Sequence, residues 1–229
     1  MTDAALLVLW DIDGTLLQRG SEAHARALLR ALGEVHGNDL GLEDVRGIDA
    51  AGRTDGAIAR DILLACGVEA SSIDKEVDAV ARACASAYDE LCPADLSAFV
   101  APGIAALLEL LAGDERYRPS LVTGNFERVA RLKLARAGIG DYFEAGQGGF
   151  GSDAEAREEL PPIARARAGD WPRERTVVVG DTPRDIACAR ADGLRVVAVT
   201  TGPYEAEALA GADHVATGAA ELAELLPTL

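Results

Sequence analysis

Residues 8–17 read VLWDIDGTLL. An apolar run ends on Asp11, and Asp13 and Gly14 follow at once. Leu6–Trp10, four Leu and Val residues and a Trp with no polar alternation, has the mark of a strand covered on both faces, the kind found in parallel sheets. Two carboxylates at the mouth of such a strand repel each other by about 4 kcal/mol at 4 Å in an effective dielectric near 20. Either they project into water as an ordinary turn, or something cationic lies between them.

The bulk numbers narrow the options. The chain has 229 residues, 49% of them hydrophobic, enough for a substantial core. Its net charge of −16, from 38 acidic against 22 basic residues, argues against a general binder of nucleic acid or anionic membrane. An anionic small substrate stays open, because a local cationic pocket overrides the average. The four cysteines (Cys66, Cys84, Cys92 and Cys188) form no Cys-x-x-Cys pair and have no histidine at metal spacing. They read as buried, reduced thiols. The opening MTDAALLVLW has no basic segment, and its apolar run is too short for a membrane span. A soluble cytoplasmic protein is expected.

Further short strands are predicted at Ser120–Thr123, Thr176–Gly180, Val196–Thr200 and His214–Ala216, with helical patterns between them. Ile104, Leu107, Leu108 and Leu111 form one stripe; NFERVARLKLARAG forms another, with Gly138 past its end. SDAEAREEL opens with Ser152 and Glu155 in capping-box spacing. Alternating strands and helices predict a doubly wound parallel α/β sheet. Residues 18–100 differ. Stripes at Ala25, Leu28, Leu29 and Leu32, at Ile58, Ile62 and Cys66, and at Ile73, Val77, Val80, Cys84 and Leu91 are all helical. The expected organisation is an α/β catalytic core of residues 1–17 and 101–229, carrying a helical cap at 18–100. The segments after Leu17 and around LCPADLSAFVAPG are the expected hinges.

Ligands of a doubly wound sheet bind beyond the carboxyl ends of its strands. Four polar signals fall there: Asp11 and Asp13; Thr123, Gly124 and Asn125; Asp181; and Asp185 four residues on, in GDTPRD. Each alone is an ordinary turn or cap. Together, Asp11, Asp13 and Asp181 make an oxygen-rich set suited to a hard cation such as Mg²⁺, which would offset the repulsion.

DIDGTLL, VTGN and GDTPRD resemble motifs I, II and IV of the haloacid dehalogenase-like hydrolase superfamily. The helical insert between the first two resembles the cap of its phosphoglycolate-phosphatase-type members. The resemblance runs the length of the chain and implies a Mg²⁺-dependent phosphatase acting on a small phosphorylated metabolite. Asp11 would attack phosphorus to give an aspartyl-phosphate. Asp13 would protonate the leaving alcohol, activate the water, and touch the metal through its carbonyl. Asp181 would ligate the metal directly, and Asp185 directly or through water. Thr123, Gly124 and Asn125 would hold the phosphoryl oxygens. Dehalogenases and phosphonate-cleaving relatives lack the second aspartate, so Asp13 favours phosphoryl transfer. A β-phosphoglucomutase-like phosphomutase is the alternative, with a phospho-accepting signalling module well behind it.

One motif departs. The lysine expected before motif IV is missing, since no lysine lies between Phe143 and Asp181. Arg157 is the candidate by position and Lys133 its rival; either could equally be a solvated helix charge. Arg53 and Thr54, in the cap loop AAGRTDGAIA, could select the substrate or simply form a turn and an N-cap. His24, His36 and His214 read as surface or packing residues, and Trp10 as core.

Overall fold

Leu6–Trp10 forms strand β1 with all five residues buried, and the strand ends where Asp11 begins. A computed structural model describes residues 5–18, 22–37, 40–41 and 48–229. Residues 1–4 of the expected core and 19–21 of the first expected hinge lie outside these. The remaining strands are β2 (Tyr117–Thr123), β3 (Gly149–Phe150), β4 (Thr176–Gly180), β5 (Arg195–Val199) and β6 (His214–Ala216). They form one sheet in the order β3-β2-β1-β4-β5-β6, with every pair parallel. The chain winds one way from β1 to β3 and the other way from β4 to β6. The strand order therefore switches between β1 and β4, where such sheets open a crevice.

Both faces are covered, which is why the strands carry apolar runs. Val8, Trp10, Val177 and Val179 face one side. There α4 (Ile104–Ala112), α5 (Glu127–Arg136) and α8 (Ala219–Leu225) bury Leu108, Leu134 and Leu222. Leu7, Leu9, Val178 and Val196 face the other side, against α6 (Leu160–Arg167) and α7 (Pro183–Ala191). Between β1 and β2 lie α1 (Glu22–His36), α2 (Asp55–Ala65) and α3 (Ala70–Leu91), with α1 packed along α3. Their apolar faces, including Leu32, Leu63 and Val80, run without a break into the first sheet face. The segments entering and leaving these helices pair with each other. Gln18 N–H donates to Phe99 O at 2.7 Å and Ala101 N–H to Leu16 O at 2.9 Å.

Several local expectations are corrected. β2 begins three residues before Ser120, and β5 runs Arg195–Val199 rather than to Thr200. Ser152 starts no helix of its own: its Oγ accepts the N–H of Glu127, the first residue of α5, and α6 starts only at Leu160 after a short 3-10 turn at Arg157–Glu159. Pro161 and Pro162 explain the delay, because proline fits a first turn and not a helix interior. In α2 the inward residues are Ala59, Ile62 and Leu63, while Cys66 is the C-cap and exposed. The other three cysteines are buried, and all four are free thiols.

Candidate active site

The crevice is built around Asp181. Asp11 leaves β1 with its N–H bonded to Val179 O at 2.9 Å, setting it beside the end of β4. The chain then turns tightly: Leu16 and Leu17 N–H both donate to Ile12 O. Gly14, at φ +92°, makes this possible, since an L side chain is strained there. A Cβ at Gly14 would also collide with the Asp181 carboxylate, and so would one at Gly202 in the loop after β5. Two bare backbones therefore cradle that carboxylate. The Thr15 hydroxyl donates to its Oδ1 at 3.2 Å, and the Thr201 hydroxyl ties the two cradling loops by donating to Gly14 O at 2.6 Å. Asp181 Oδ2 is buried with no hydrogen-bond partner among the described residues.

Oxygens of Asp11, Asp181 and Asp185 all lie within 4.8 Å of one another. Asp185 sits at the third position of α7, where its Oδ2 accepts Thr182 N–H at 3.0 Å in a capping box. Among the described residues one cation reaches this group: Arg157 Nη2 lies 2.8 Å from Asp11 Oδ1 and 2.5 Å from Asp185 Oδ1. A single guanidinium does not neutralise three buried carboxylates. Burial raises the Asp11 pKa, Arg157 pulls it back, and the Asp185 charge raises it again, leaving it above its ordinary value. Burial also raises Asp181, with the Asp11 and Asp185 charges adding to the effect.

Asp13 faces elsewhere. Its carboxylate takes Lys133 Nζ at 2.8 and 2.6 Å and Asn125 Nδ2 at 2.8 Å. Burial alone would raise its pKa, but the Lys133 ammonium, His24 and these hydrogen bonds bring it down to about 2. Lys133, only 3% exposed, also donates to Asn125 Oδ1 at 2.6 Å and lies 3.2 Å from His24 Nδ1. The other ring nitrogen of His24 is 3.1 Å from Asp55 Oδ2, which accepts Phe126 N–H at 2.8 Å. A polar chain thus runs from Asp13 through Lys133 and His24 to Asp55, joining α5 to α1 and α2.

The two candidates for the missing lysine are therefore separated in space: Arg157 bridges Asp11 and Asp185, and Lys133 holds Asp13. Asp11, Asp13, Gly124, Asn125, Arg157 and Asp181 line a cavity of about 530 Å³. Thr123 lies behind its wall, fully buried, with its Oγ1 accepting Asn125 Nδ2 at 2.8 Å. The Asp13 side chain lies outside the three-carboxylate group, so of the expected metal set it leaves only its backbone carbonyl as a donor. Thr54 takes the N-cap of α2, accepting Ala57 N–H, and its hydroxyl donates to Glu155 O at 2.6 Å. Arg53 turns back onto its own helix, 2.6 Å from Asp61 and 3.1 Å from Ala57 O. His24 is neither surface nor filler, and sequence alone missed it, as it missed Asp55. Thr201 and Gly202 were missed as well, although they follow β5 and the strand-end rule points to them.

Residues 8–190 match the family model described as haloacid dehalogenase-like hydrolase. The chain belongs to that family. It is 31% identical to the phosphoglycolate phosphatase of Cereibacter sphaeroides over 195 residues, 85% of either chain. Similar solved structures include a haloacid dehalogenase-like hydrolase from Streptococcus pneumoniae, with TM-score 0.64 and 21% identity over 99% of this chain and 100% of that one. Another is CbbY from Rhodobacter sphaeroides in complex with phosphate, with TM-score 0.65 and 22% identity over 95% of this chain and 96% of that one. For this haloacid dehalogenase-like hydrolase, the donor set suits a hard divalent cation, being all oxygen, close-set and short of positive charge. The unpartnered Asp181 Oδ2 in its glycine cradle is the clearest sign of it. A buried carboxylate oxygen with no partner is costly unless something cationic meets it.

Proposed function

We propose that the protein is a Mg²⁺-dependent phosphomonoesterase that works through an aspartyl-phosphate on Asp11. The observation that carries this reading is the division of labour between the two aspartates of DIDGTLL. Asp11 joins Asp181, Asp185 and Arg157, while Asp13 is held apart by Lys133 and Asn125. In this reading an Asp11 oxygen attacks phosphorus as the ester bond breaks opposite it. Asp13 relays to the departing alkoxide a proton carried in by the phosphomonoester monoanion, and then takes one from the water that frees phosphate. Arg157 and the amides of Gly124 and Asn125 hold the transferring oxygens, with Thr123 fixing the turn beneath. Asp11, Asp181, Asp185 and the Asp13 carbonyl would hold Mg²⁺, which offsets phosphate charge and lets a carboxylate approach an anion. Residues 1–17 and 101–229 act in this reading as the catalytic body and 18–100 as a cap that selects small substrates.

The relatives' name puts 2-phosphoglycolate among the candidate substrates. The test is orthophosphate release from a panel of phosphorylated metabolites with Mg²⁺, for the native chain and Asp11→Asn. Release by the native chain, and its loss by at least about 5 kcal/mol of transition-state stabilisation in the variant, is the expected result. Near-native turnover by Asp11→Asn would refute the assignment, and isomerised substrate without free phosphate would indicate a mutase.

A further inference from the structure

The cavity at Asp11 does not end at the cap. Beyond Asp13, His24 and Asp55 lies a second chamber of about 360 Å³ between α1 and α2, and the two share these residues and Ile58 in their walls. That volume is on the scale of small-ligand pockets, roughly 300–1,000 Å³. Its depth is lined by Leu28, Leu29, Ile48 and Ile62. Polar groups stand mainly at the neck, and each is already engaged. Asp13 is taken by Lys133 and Asn125, His24 lies against Asp55 and Lys133, and Asp55 accepts Phe126 N–H. Arg53, in the wall of the first cavity, is committed to Asp61. Among the described residues, nothing in the chamber stands ready to receive a second anionic group, and the carboxylates of Asp55 and Glu22 in its wall oppose one.

We infer that this chamber takes the alcohol part of the substrate, and that the preferred phosphomonoester has an apolar alkyl or aryl leaving group rather than a carboxylate-bearing one such as glycolate. The inference rests on the phosphatase reading above. With phosphorus at Asp11, the leaving oxygen faces Asp13, whose carboxylate lies in the wall of both cavities. The carbon attached to that oxygen then points through the neck into the apolar space.

A homologous series tests this directly. Ethyl, n-butyl and n-hexyl phosphate have leaving alcohols of nearly equal acidity, so differences in kcat/KM report burial of the chain. Orthophosphate release with Mg²⁺ should rise about fourfold per methylene, the worth of one buried CH₂, until the chamber is full. n-Hexyl phosphate should also surpass 2-phosphoglycolate. In Ala25→Leu, which adds bulk at an exposed wall position, the n-hexyl to ethyl ratio should fall at least fivefold. That ratio is independent of how much of the variant folds. A flat series, an unchanged ratio in Ala25→Leu, or a preference for 2-phosphoglycolate would overturn the inference while leaving the phosphatase reading intact. No phosphate from any substrate, the metabolite panel included, would overturn both.

Discussion

Arg157→Ala isolates the one cation among the described residues that reaches the carboxylate group. Its side chain is 6% exposed and those of Asp11 and Asp185 are 7% and 0%, so the pair is buried and water cannot take over its role. Removing one partner of a buried pair costs about 3–5 kcal/mol, because the other charge is left uncompensated. For a chain of this size each kcal/mol moves Tm by about 2–4 °C, so a drop of about 10 °C is expected in EDTA at pH 8. Two conditions should shrink it. At pH 5.5 Asp11 and Asp181, whose pKa values are already raised by burial, take up protons and lose much of their repulsion. Saturating Mg²⁺ supplies the missing charge and should restore the variant more than the native chain. Differential scanning fluorimetry in the four combinations of pH and metal reads this directly. A loss below about 1 kcal/mol at pH 8 in EDTA, the same at both pH values, would refute the account of Arg157 as the charge that holds the carboxylates together.

The same logic predicts the native chain's own pH response. Asp11 and Asp181 bind protons more tightly folded than unfolded, where carboxyls titrate near about 3.9. Metal-free stability should therefore fall as pH rises from about 4 through their raised folded values, and Mg²⁺ should flatten the curve; a metal-free stability that climbs over that range would contradict it. Lys133→Met removes the group that fixes Asp13, and kcat should drop at least about 10²-fold while Mg²⁺ affinity stays near native; a KM effect alone would place Lys133 in substrate binding instead. Gly202→Ala drives a Cβ into the Asp181 carboxylate, so Mg²⁺ affinity by calorimetry should fall at least tenfold; an unaltered affinity would remove Asp181 from the metal set.

Much of the core was legible because its strands are short, apolar and buried on both sides, and the sequence carries that signal locally. β1, β4 and β6 lie where the pattern puts them. β3 is two residues paired with β2, too brief to leave any pattern. The helix expected from Ser152 failed because capping spacing is a local preference, and Pro161 and Pro162 fit only the first turn of a helix, which sets the start of α6 at Leu160. The crevice itself was readable from strand ends, which bring Asp11, Asp181 and Asp185 together in order. His24 and Asp55 were not. A histidine on an amphipathic helix and an aspartate at a helix N-terminus are ordinary residues by any local rule. Their significance comes from a lysine more than 70 positions away that reaches His24 across the boundary between α1 and α5.

That reach has a bearing on how new specificities arise in this scaffold. The insert contributes wiring as well as a roof, because His24 touches the ammonium that steers Asp13 and Asp55 fastens the turn presenting Gly124 and Asn125. Exchanging the whole insert for a foreign one would alter leaving-group choice and also unplug two connections of the reaction centre. A chimera that keeps this pair of residues in register should inherit the donor's tastes with the host's speed; one that discards them starts life as a crippled catalyst, whatever its pocket fits.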